Sequence, residues 1–111
     1  MSAATSTIEQ LQALLASERF VVPPVRAGVL IMSVQASRGH YYLPRQDDGP
    51  WTHVEIGFPT RVIPEFLPYS DGPINRRNRP TKAVYGYVPI ETVAAVIDRF
   101  GGMKMTSEQA A

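Results

Sequence analysis

The sequence predicts an α+β fold of two layers: a four-stranded, mainly antiparallel sheet with two helices on one face, in the order helix, three strands, long loop, strand, helix. Three observations lead there. Segments near both ends carry apolar residues at helical spacing, short β-rich runs between them alternate or are continuously apolar, and the links between the first strands are too short for a parallel crossover. Two helices against one face of such a sheet bury both apolar surfaces at once.

Helix 1 is predicted over residues 5–18. Ser6 followed by Glu9 forms a capping-box pattern, and Ile8, Leu11, Leu14 and Leu15 make one stripe that leaves Glu9, Gln10, Gln12 and Ser17 for water. Pro23-Pro24 forces an extended link. Residues 29–36 form a β-rich run, and after Ser37-Arg38-Gly39 a second extended segment at 40–44 completes a predicted hairpin. The stretch 46–50 is turn chemistry, with Asp48-Gly49-Pro50 at its end. Residues 51–58 then alternate cleanly as a third strand.

Residues 59–80 hold Pro59, Pro64, Pro68, Pro73 and Pro80, a density neither a helix interior nor a central strand tolerates, so a long loop is expected there. Val62, Ile63, Phe66, Leu67 and Tyr69 make its first half a packing segment, whereas 75–79 reads as solvated. Residues 82–88 are the fourth strand. Helix 2 follows over 89–100, with Pro89 in its first turn, a buried stripe of Ile90, Val93, Ala94, Ile97 and Phe100, and a Gly101-Gly102 cap. The tail 103–111 is expected to be flexible.

With 111 residues, 44% of them hydrophobic and 19% charged, the chain suits one core, and residues 1–111 are read as a single domain. Eleven Lys and Arg against ten Asp and Glu leave a net charge of +1, so any anionic partner must be recognised by local clustering. The absence of cysteine excludes a disulfide framework, a thiolate nucleophile and Cys-ligated zinc, and makes the cytoplasm the default expectation. No secretory signal and no membrane span are expected, because the N-terminus lacks a basic leader and no apolar run approaches about 20 residues.

Strict alternation puts Thr52, Val54, Ile56 and Phe58 under the helices, together with Val84, Gly86 and Val88. The opposite face then carries Trp51, His53, Glu55, Gly57, Ala83, Tyr85 and Tyr87. Such an aromatic surface edged by polar atoms has the character of an interaction site. Trp51, His53, Tyr85 and Tyr87, with Phe66 and Tyr69 from the loop, are therefore the expected partner-binding residues, for a protein partner or a second copy of the chain. The alternative is that the loop, through Phe66, Leu67 and Tyr69, folds back over this face and makes it core.

Arg76, Arg77, Arg79 and Lys82 lie close together with no intervening acid. Beside an aromatic sheet they are candidate nucleic-acid-binding residues for a single strand, or an anchor for an acidic protein, since guanidinium forks pair with carboxylates. A solvated loop is the plainer reading. His53 and Glu55, with His40, could serve a small metal-dependent enzyme, but the triplet His53-Val54-Glu55 fixes no third ligand. No phosphate-binding loop, nucleophile elbow or zinc-protease pattern occurs. The expectation is a non-catalytic binding module, without metal or cofactor, that serves as an accessory or inhibitory factor; single-stranded nucleic-acid binding and metal-dependent catalysis are the alternatives.

Overall fold

A computed structural model of the chain describes residues 6–16, 23–36 and 50–104. Helix α1 (Thr7–Leu15) starts at the predicted capping box: Ser6 Oγ accepts from the Glu9 amide at 3.1 Å, and Glu9 Oε1 accepts from the Ser6 amide at 3.0 Å. Hydrogen bonding to the carboxylate from Ser6, its backbone first and its side chain second, holds the Glu9 carboxyl below its ordinary pKa. Leu11 and Leu15 face the core, with Ile8 and Leu14 at its margin.

The predicted strand at 29–36 is β2 (Leu30–Gln35), and a short strand unforeseen in the sequence, β1 (Val25–Ala27), precedes it and pairs with it through a two-residue turn at Gly28-Val29. Gly28 at φ 59 takes the first central position, the arrangement whose twist suits a tight hairpin. The predicted strand at 40–44 lies outside the described residues, as does the tail from 105.

β3 (His53–Gly57) and β4 (Val84–Pro89) complete an antiparallel sheet in the order β1-β2-β3-β4. Helix α2 (Ile90–Arg99) follows at once, its Ile90 amide donating to Thr52 O at 2.9 Å. Gly101, at φ 105, ends it as predicted, and the Gly102 amide returns to Ile97 O at 2.9 Å. α1 packs on α2 and α2 on β4. Val25, Ala27, Leu30, Met32, Val34, Val54, Ile56 and Val88 supply the sheet's share of the core, and among the described residues no helix is long and apolar enough to cross a membrane.

The long loop is not all irregular. Pro64–Tyr69 is a 3-10 helix that sinks Phe66 completely and lies against β4. The Glu65 carboxylate pairs with the Arg99 guanidinium, which places this turn on the side of α2. Arg99, chiefly through its hydrogen bond, holds the Glu65 carboxyl below its ordinary pKa. Stability from this source is present above the unfolded-state value, about 4.3, and is lost as pH falls through the lowered folded value. The pair is surface-exposed, so its contribution is small. In urea titrations, Glu65→Gln is expected to unfold somewhat earlier than the parent near neutral pH, and this gap should narrow towards about pH 3. A gap that widens in acid would contradict the pairing.

Candidate binding surface

The expected aromatic sheet face does not assemble. Trp51 and Tyr85 are buried at 2% and 1% exposure, and Phe66 is at 0%. Of the residues expected on that face, His53 is half-buried and Tyr87 exposed, while Tyr69 packs half-buried against the core.

The physical cause in β4 is a bulge. Val34, Ile56 and Tyr85 form one row across β2, β3 and β4, and Val54 faces Val88. One residue, Glu55, separates Ile56 from Val54, but Gly86 and Tyr87 together separate Tyr85 from Val88. The extra residue inverts the alternation, so Tyr85 and Val88 both reach the core and Gly86 does not occupy the expected place under a helix. Tyr87, at φ 56, absorbs the distortion. The Tyr85 ring meets Phe66 at 5.9 Å between centroids, and its hydroxyl donates to Pro80 O at 2.5 Å. Burial pushes its phenol pKa up. The alternative reading of the loop is thus correct in part: Phe66 does cover Tyr85, but on the helical side.

Trp51 departs from alternation for a different reason, since it precedes β3 and answers to α1. The Gln12 side chain accepts from the Trp51 amide at 2.9 Å and donates to Trp51 O at 2.7 Å, a two-bond clamp from a residue expected to face water. Phe58 departs as well. It was expected under the helices, yet it is 59% exposed, its backbone at φ 52. A left-handed backbone costs a non-glycine residue roughly 1–2 kcal/mol, and the following Pro59 narrows its choices further.

The metal reading gains no geometry. His53 and Glu55 share the face away from the helices, with His53 Nδ1 2.9 Å from Thr52 Oγ1, but His40 lies outside the described residues. Among the described residues no group of three His, Cys, Asp or Glu is placed to hold a metal ion.

The basic loop is held by its own hydrogen bonds. Asn75 Oδ1 accepts from the Arg77 amide at 2.8 Å and the Asn78 amide at 3.0 Å, and the Asn75 amide donates to Asn78 O at 3.1 Å. Asn78 Nδ2 reaches Pro73 O at 3.1 Å, and the Lys82 amide reaches Arg79 O at 2.8 Å. Both ends are anchored to β4, through the Asp71 amide on Val84 O at 2.8 Å and through Tyr85 on Pro80. An asparagine that bonds the backbone two and three residues on is a turn builder, a signal present in the sequence at Asn75 but masked by the surrounding charge. Arg76, Arg77, Arg79 and Lys82 are all exposed, and none forms a salt bridge with a described carboxylate.

Comparison with known proteins yields no match to any family, curated protein or solved structure.

Proposed function

We propose that the chain is a small non-catalytic binding module that engages an acidic protein partner through the loop 71–82, acting as an accessory or inhibitory factor by occupying that partner's surface. The supporting observation is a basic loop whose backbone is tied by its own asparagines while Arg76, Arg77, Arg79 and Lys82 stay exposed. Preorganisation of this kind lowers the ordering cost of binding, and guanidinium forks match carboxylates in geometry and charge. A cytoplasmic setting accompanies the reading, in keeping with a cysteine-free chain. Self-association through this loop is disfavoured, because two copies would bring like charges together. Single-stranded nucleic acid is the less favoured ligand, since stacking needs open aromatic faces and Trp51 and Tyr85 are in the core.

Immobilised poly-L-glutamate is the test ligand, with a single-stranded oligonucleotide beside it. The parent should be retained on polyglutamate at low salt and released as salt rises. The triple variant R76A/R77A/R79A should bind at least about tenfold more weakly, a loss of roughly 1.4 kcal/mol or more, with its thermal midpoint unchanged. Parent retention on the oligonucleotide alone would transfer the loop to nucleic acid, and no retention on either would end the proposal.

A further inference from the structure

The antiparallel order brings four parts of the chain to one end of the sheet: the Gly28-Val29 turn, the exit of β3, the entry of β4 and the basic loop. Hydrogen bonds fix the meeting. Thr60 Oγ1 donates to Val29 O at 3.0 Å and accepts from the Ile31 amide at 2.8 Å, while the Phe58 amide donates to Ala83 O at 3.1 Å. Four large apolar side chains stand out as exposed among the described residues, and three of them are here: Val29 at 60%, Phe58 at 59% and Val62 at 55%. Phe58 is turned outward by a left-handed backbone, against the alternation of Val54 and Ile56 that would have carried it inside. Strain that holds a large ring in water is the kind of outlier from which a functional surface is argued. The cations beside it are Arg61, exposed one residue from Thr60, and Lys82, next to the residue that holds Phe58.

The geometry points to a composite docking surface at this end, in which Phe58, with Val29 and Val62, forms an apolar anchor site bordered by Arg61 and by Lys82 of the basic loop. Its occupant is an acidic polypeptide segment carrying a large apolar side chain: the basic border selects carboxylates, and the apolar centre supplies the contact that excludes water around them. This rests on the reading of the loop as an acidic-partner site and adds the chemistry of the partner's anchor.

Three labelled synthetic peptides of equal length separate the two ideas: one all-Glu, one of Glu with a central Leu-Trp pair, and one with the same pair among Ser. Fluorescence anisotropy with the full chain should give the Glu/Leu-Trp peptide about tenfold tighter binding than the all-Glu peptide. The Ser/Leu-Trp peptide should bind more weakly than the Glu/Leu-Trp one. Phe58→Gly, which relieves the left-handed backbone and should melt no lower than the parent, is expected to erase the advantage of the Leu-Trp pair while leaving all-Glu binding unchanged. Val62→Ser should reduce that advantage in part. Equal binding of the two acidic peptides, or an undiminished advantage in Phe58→Gly, overturns the anchor and leaves the loop standing. Failure of the all-Glu peptide to bind the parent overturns the loop reading, and the anchor with it.

Discussion

Replacing Trp51 by alanine is expected to lower the unfolding free energy by about 3–5 kcal/mol, the largest loss foreseen for a side chain of this chain. Trp51 is the largest of the fully buried side chains, at 2% exposure, and Gln12 holds its backbone from α1. The clamp survives the substitution, so the void cannot close by sliding residues 50–52 inward, and the cavity cost adds to the lost transfer energy. A domain of this size has only about 5–15 kcal/mol in all. Urea unfolding followed by far-ultraviolet circular dichroism would read the loss. Because Trp51 is the sole tryptophan, the parent's emission should be blue-shifted when folded and move red on unfolding, with weak acrylamide quenching in the native state. A loss below about 1 kcal/mol would be the behaviour of the exposed partner-binding residue that alternation alone predicts.

The contrast between Trp51 and α1 shows which parts of this fold were legible in the sequence. Ser6 with Glu9, the stripe of α2 and the Gly101 cap are local signals, complete within a few residues, and each lies where its chemistry predicts. Core positions Val54 and Ile56 followed from alternation for the same reason. The face of Tyr85 did not, because the extra residue at Gly86-Tyr87 puts Tyr85 on the same face as Val88 where regular alternation would separate them, and nothing at those two positions distinguishes a bulge from regular strand. The clamp on Trp51 spans 39 residues of sequence. No periodicity can report a bond of that length. β1 is hidden in the sequence because Val29 looks like a strand residue, while Gly28 beside it is what makes the turn. For the candidate surface, the loop's charge was legible and its order was not, whereas the outward ring of Phe58 was hidden by the same alternation that found its neighbours.

Gly28→Ala is expected to destabilise the chain by about 2–5 kcal/mol, from two causes that a second glycine separates. Gly28 stands at φ 59, where a side chain is strained by roughly 1–2 kcal/mol. A Cβ there would also lie 2.6 Å from Phe100 O, a backbone atom at the end of α2 that cannot swing aside. Gly101 shares the first cause without the second: its φ is 105 and a Cβ would meet nothing within 4 Å. Gly101→Ala should therefore cost only backbone strain, which at φ 105 is at least that at φ 59, so any excess cost of Gly28→Ala is a lower bound on how tightly the β1–β2 turn is wedged against α2. Urea unfolding of both at one temperature gives that difference directly. A Gly28→Ala cost no larger than the backbone strain alone, about 1–2 kcal/mol, would mean that the turn is not wedged against the helix end, and the sheet end that presents Phe58 would lose the support that α2 provides.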